Sequence, residues 1–181
     1  MPASPVFTDP GLTRFNALDA AEARRALLAC CAATRWADAL AAARPYPDRT
    51  ALRARADAEL TALTWNDITE ALDAHPRIGD RAAGDDRSAA WSRGEQSGAA
   101  AAPDDVRAAL AAGNLAYERR FGHVFLIRAA GLSAERMLAA LRARLEHEPE
   151  EERAEVRRQL GGIAWLRLER LLDGELAEAE G

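Results

Sequence analysis

His75-Pro76-Arg77-Ile78-Gly79-Asp80 and, a short way downstream, Ser92-Arg93-Gly94-Glu95-Gln96 are the runs in this chain whose residue types could do chemistry. His75 is one of only three histidines. It stands where a helical pattern stops and just ahead of a proline, which restricts the backbone before it and so the direction of the ring. A neutral imidazole and a carboxylate meeting in one pocket can divide base and acid roles near neutral pH, and His75 with Glu95 is the pair that could do so. Ser92, Glu95 and Gln96 share one side if their run is helical. Two plainer readings compete: His75 as a cation complementing a helix C-terminus, and Ser92 to Gln96 as a wet polar face.

The rest of the inventory is poorer in chemistry. His123, next to Gly122 and an apolar run, reads as a satisfied structural histidine, and His147, among acids, reads as solvated. Histidines this scattered do not form a zinc or iron site, so no metal is expected. Cys30 and Cys31 are adjacent. They can neither staple distant segments nor ligate at metal spacing, and they fit a reducing, cytoplasmic setting. No phosphate loop, nucleophile elbow or dinucleotide fingerprint occurs in strand-to-helix context, so any catalysis is expected to be cofactor-free.

The elements that must position these groups are helices. The chain has 181 residues, 49% of them hydrophobic but only 6% aromatic, with alanine abundant, which predicts one core of closely packed helices. A net charge of −5 argues against nucleic acid. No apolar run reaches the ~20 residues that span a bilayer and no signal-peptide pattern opens the chain, so no membrane partner is expected. Asp19 and Glu22 have capping-box spacing and predict a helix over 19–32, followed by a shorter one over 36–43 that Pro45 and Pro47 end. Asp48 and Thr64 cap the next two, the second stopping near His75. Further helices are expected over 88–96, from Pro103 to Phe121, from Ser133 through Leu145, and from Pro149 to Gly174. The acidic run Glu148 to Arg153 reads as a solvated helix start, and Gly161-Gly162 as a point of close packing or a bend. Val124 to Ile127 reads as a buried non-sheet segment, because no second strand-like run exists to pair with it. The sum is an all-α, single-domain bundle of about seven or eight helices over 1–181, with 1–12 a flexible or loosely packed leading segment and 175–181 a frayed tail.

Several of these runs together resemble one family, the 2-oxo-4-hydroxy-4-carboxy-5-ureidoimidazoline decarboxylases, which complete the route from urate to (S)-allantoin. The resemblance rests on His75 to Gly79, Ser92 to Gly98, Asn114 to Arg128 and Leu166-Arg167-Leu168, in that order and spacing. It implies a catalytic histidine at His75, a catalytic carboxylate at Glu95 and a pocket-facing arginine at Arg167. It further implies that Pro76, then Ser92, Arg93, Gly94, Glu95 and Gln96, then Phe125, Leu126, Ile127, Arg128 and Ala129 line a small ureidoimidazoline substrate. Family members are all-helical, use no metal or organic cofactor and are commonly homodimers. Arg77-Ile78 stands where some members have aspartate and leucine, which leaves position 77 without an implied role. Two alternatives remain at this point: a helical interaction module with no activity, and an enzyme for a related ureido compound. The first predicts His75, Glu95 and Arg167 apart.

Overall fold

The computed structural model describes residues 9–80 and 82–174. Most of the helices begin where a short polar side chain or a proline relieves the unpaired N–H groups of a first turn. α1 (Pro10–Ala17) starts at Asp9, whose carboxylate accepts from the Leu12 amide at 3.0 Å. α2 (Ala20–Cys30) carries the full Asp19/Glu22 capping box. α3 (Thr34–Ala42) opens two residues earlier than expected and has no side-chain cap; Thr34 instead bonds Glu70 at 2.6 Å, a partner invisible to local pattern. α4 (Arg49–Ala62) is capped by Asp48 and α5 (Trp65–Asp73) by the Thr64/Asp67 box. Then follow α6 (Arg87–Glu95), the single turn α7 (Ser97–Ala100), α8 (Asp104–Phe121), α9 (Ala134–Arg144) and α10 (Pro149–Asp173).

The expected count of seven or eight becomes ten among the described residues. α7 is one turn, too short to show a period. α1 corrects the reading of residues 1–12 as loose: from Asp9 onward the segment is capped, Leu12 and Phe15 are buried, and a Cβ on Gly11 would stand 1.8 Å from the Leu172 carbonyl oxygen. Residues 1–8 and the expected tail 175–181 lie outside the described residues. Val124 to Ile127 is extended and unpaired in any sheet, as expected.

Two hydrophobic clusters divide the interior. The larger gathers α1 to α5 against α10, with Trp36, Leu40, Leu52, Leu72, Leu160 and Leu168 at its centre. The smaller joins α8 and α9 with the extended segment, through Tyr117, Phe125, Met137 and Leu141. The glycine pair in α10 packs closely: a Cβ on Gly161 would meet Leu60 of α4 at 2.7 Å. Arg157 ties the same helices, donating to the Leu60 and Leu63 carbonyls that end α4. α10 thereby becomes a fixed rod, and Arg167 near its far end is held at a defined place against α2 and α6.

Candidate active site

The irregular stretch between α5 and α6 carries His75, and its neighbours hold it in one shape. α5 ends with the His75 amide donating to the Leu72 carbonyl at 2.9 Å, and Pro76 prevents another turn. Gly79, at φ +92, then turns the chain where a side chain would be strained. Four side chains, from α6, its cap residue and α8, grip the stretch. Gln96 accepts from the Gly79 amide at 3.1 Å, Arg93 donates to the Gly84 carbonyl at 2.8 Å, and buried Asn114 donates to the Ile78 carbonyl at 2.8 Å. Arg77 forms a two-pronged pair with Glu118 of α8, at 2.6 and 2.8 Å.

A cavity of about 1030 Å³ opens beside this stretch, lined among others by His75, Pro76, Ser88, Ser92, Arg87 and Arg25. Arg167 reaches its wall from α10. Arg167 is 2% exposed and Glu95 is 8% exposed. Arg167 Nε donates to Glu95 Oε1 at 2.9 Å and Nη2 to Oε2 at 2.8 Å, and Arg170 adds a third bond to Oε1 at 3.2 Å. Nη2 also donates to Ser92 Oγ at 3.0 Å, while Nη1 donates to the Ala29 carbonyl at 3.2 Å and to Ser88 Oγ at 3.3 Å. The cavity wall thus meets a buried guanidinium–carboxylate pair through two serine hydroxyls.

His75 is affected by the same arginine. Burial, and after it the positive charge of Arg167, pushes the imidazole down to about 3, so the ring is neutral at every physiological pH. Such a ring accepts a proton without first having to lose one. The structure therefore brings His75, Glu95 and Arg167 into one neighbourhood, from a loop and two helices far apart in the chain.

With that geometry established, comparison with known proteins is decisive. The model of the OHCU decarboxylase family matches residues 16–169. The chain belongs to that family. A relative from Arabidopsis thaliana, uric acid degradation bifunctional protein TTL, is 32% identical over 123 residues, which are 66% of this chain and only 38% of that protein. Among solved structures, an OHCU decarboxylase crystallised in the presence of (S)-allantoin superposes with a TM-score of 0.70 at 27% identity, covering 81% of this chain and 96% of the other. An (S)-allantoin synthase superposes with a TM-score of 0.66 at 22% identity, over 88% of this chain and 53% of that one, and shares the fold.

The other positions expected from the OHCU decarboxylase pattern fall in several places. Arg93 and Gln96 grip the His75 stretch, and Gly94 is exposed with open space where a Cβ would be. Phe125, Leu126, Ile127 and Ala129 are buried and take part in the two cores, while the Arg128 amide donates to Gln159 at 2.8 Å. Arg77 is exposed and serves the loop through Glu118. His123 lies edge-on to Trp65 and Tyr117, with Nδ1 3.1 Å from the Val124 carbonyl, as a structural histidine does. Two readings need correction. Glu152, placed in a solvated run, is 0% exposed, and His147 is not simply solvated because its Nδ1 lies 2.8 Å from that buried carboxylate. Tyr117 of α8 and Arg144 of α9 close over Glu152 at the start of α10, which charge patterning along one helix cannot reveal. Two further residues take part in holding the site. Asn114 was visible only as a polar residue inside the apolar stripe of α8, and Ser88 as the residue one turn before Ser92.

Proposed function

We propose that this chain, as a single decarboxylase-like domain, converts 2-oxo-4-hydroxy-4-carboxy-5-ureidoimidazoline to (S)-allantoin in urate breakdown, without a cofactor. Membership of the OHCU decarboxylase family and the names of its relatives support the reaction. The observation that carries the site is a neutral imidazole on the wall of a cavity backed by the Glu95–Arg167 pair.

The chemistry explains why so few groups suffice. The carboxylate is attached beside a ring imine. When its bond to the ring carbon breaks, CO2 leaves and the electron pair moves toward the imine nitrogen, which takes a proton from solvent. His75 accepts the proton of the hydroxyl on the same carbon, which becomes a carbonyl, and the neighbouring carbon is protonated on one face. Each turnover consumes one proton and releases one CO2. Glu95 holds Arg167, and its remaining acceptor capacity suits the N–H groups of the ring or ureido arm. Pro76 and Ser92, which line the cavity with His75, are the substrate's nearest surroundings in this reading, and Phe125 to Ala129 support them from the cores. Arg167 is a positioning residue rather than a direct partner, because its N–H groups are already engaged by protein atoms.

The test is (S)-allantoin formation from freshly generated substrate, followed by circular dichroism against the slow spontaneous reaction. A single enantiomer produced above background supports the proposal, and racemic product at the background rate overturns it. His75→Ala should cost about 10²- to 10⁴-fold in turnover while leaving the far-ultraviolet spectrum unchanged. We further assign the chain to the cytoplasm, in keeping with its two free cysteines, and to a homodimer, which light scattering on the purified protein checks.

A further inference from the structure

We propose that Arg87 is the residue that captures the substrate's carboxylate, an inference that rests on the decarboxylase reading above. That reading leaves the group without a partner. The five N–H donors of Arg167 go to protein acceptors on Glu95, Ser92, Ser88 and Ala29, so a substrate group could bond it only by displacing one of them. A second guanidinium is better placed. Arg87 lines the cavity with His75, Pro76, Ser88 and Ser92, and the carboxylate and the hydroxyl that His75 deprotonates sit on one carbon.

Among the described residues the Arg87 guanidinium has no hydrogen bond and no ion pair. Its place in the chain makes that costly. Arg87 is the first residue of α6, at the positive end of the helix dipole, where a cation is disfavoured. Arg49 stands at the same position of α4, but Asp9 and Asp173 neutralise it. Arg87 stays unpaired although half-buried, and local rules are broken in this way where a site needs the group. Charge on the inner wall favours an anion. Burial pushes the Cys30 thiol up, while Arg167 and, more weakly, Arg87 pull it down, so Arg87 is turned toward the interior behind the cavity. There Glu95 already answers Arg167 through two bonds and leaves Arg87 unanswered. The acids of the lining, Glu22, Asp73, Asp80 and Asp86, are all exposed, where solvent and salt weaken them. Two of them are engaged elsewhere, Glu22 by the Asp19 amide and Asp86 by the Ala89 amide. The charge that acts on the His75 ring, after burial, is that of Arg167. Arg25 of α2 also lines the cavity, but it is exposed and correspondingly screened.

The chemistry sets how such a contact behaves. A guanidinium offers two parallel N–H groups that match a carboxylate. The charge on that carboxylate disappears as CO2 forms, so the pair stabilises bound substrate at least as much as the transition state. Arg87 therefore serves capture and orientation of a substrate that otherwise decays spontaneously, and its loss falls on KM rather than on kcat.

The experiment compares wild type, Arg87→Ala, Arg87→Gln and Arg87→Lys, measuring KM and kcat for the ureidoimidazoline and the inhibition constant of (S)-allantoin, which keeps the ring and ureido arm but lacks the carboxylate. Arg87→Ala and Arg87→Gln should raise KM about tenfold or more, the loss expected for a hydrogen bond between charged groups, with kcat within about threefold of wild type. Their inhibition by (S)-allantoin should stay within about twofold of wild type. Arg87→Lys keeps the charge without the fork and should fall between wild type and Arg87→Ala. Added salt should raise the wild-type KM and leave that of Arg87→Ala nearly level. Urea midpoints should not fall, because the substitution removes a cation from a helix start. KM unmoved in Arg87→Ala, product affinity falling in step with KM, or a wild-type KM indifferent to salt overturns the assignment while leaving an active decarboxylase. A wild type that does not accelerate the reaction overturns the decarboxylase reading and this inference with it.

Discussion

Glu95 and Glu152 are both buried carboxylates held by a buried arginine, and it is the Glu95 pair that meets the cavity shared with His75. Glu152 accepts from Arg144 Nε at 2.8 Å, from Tyr117 Oη and from His147, and Arg144 also donates to the Leu126 carbonyl at 2.6 Å. The Arg144 guanidinium lies over the Phe125 ring at 4.6 Å, so the cluster is closed on itself within the smaller core. The Glu95–Arg167 pair is as well satisfied, but two of its arginine's bonds end on serines that line the cavity shared with His75. A buried ion pair is therefore not evidence of a site. What distinguishes the second pair is an outlet to a cavity and a neutral imidazole on the same wall.

Equal substitutions at the two carboxylates sharpen this contrast most. Glu95→Gln should lower kcat/KM about a hundredfold by loosening Arg167 and the serines it holds. Glu152→Ala should instead cost about 3–5 kcal/mol of stability, read from urea midpoints, because it leaves Arg144 buried without its counter-charge. Turnover per folded molecule should hardly change. Equal losses of activity at both positions would erase the distinction.

A smaller effect separates the imidazoles from the acids. The free His75 ring would take up its proton near 6.5, whereas in the folded protein it does so only near about 3. Between those values the unfolded chain binds the extra proton, so the native state loses stability as pH falls through this window and recovers it as pH rises. His75→Asn should flatten that slope, measured as urea midpoints at about pH 5 and about pH 8. The kcat profile should show no inflection near 6.5 arising from this residue. The smallest effect belongs to Arg77→Ala. Its pair with Glu118 is exposed, and Asn114 and Gln96 also hold the stretch, so kcat should stay at the wild-type value and only proteolysis of residues 77–84 should quicken slightly.

Local signals accounted for most of the helices. Asp19 with Glu22, Asp48, Thr64 with Asp67, Ser133 and Pro149 each mark a start that the structure keeps, because a cap acts within one turn of the chain. Where the partner is distant the signal fails. Thr34 finds Glu70, Gly11 seats against Leu172, and Glu152 is covered by elements that pattern along one helix does not contain. The candidate site divides in the same way. The types and spacing at His75 and Ser92 to Gln96 were legible, whereas Ser88 and Asn114 acquire meaning only from what faces them.

Sequence by itself determined an all-helical chain, the place where a histidine-bearing helix must stop, and the family to which the motif order points. Those follow from steric and hydrogen-bonding rules that operate over a few residues, together with a pattern of residue types. Only the tertiary structure decided that Arg167 gives all its donors to protein, that His75 is neutral, and which of the two buried acids meets the cavity shared with His75. Each of these depends on burial and on neighbours from elements far apart in the chain, and electrostatic interactions take their strength from that surrounding medium.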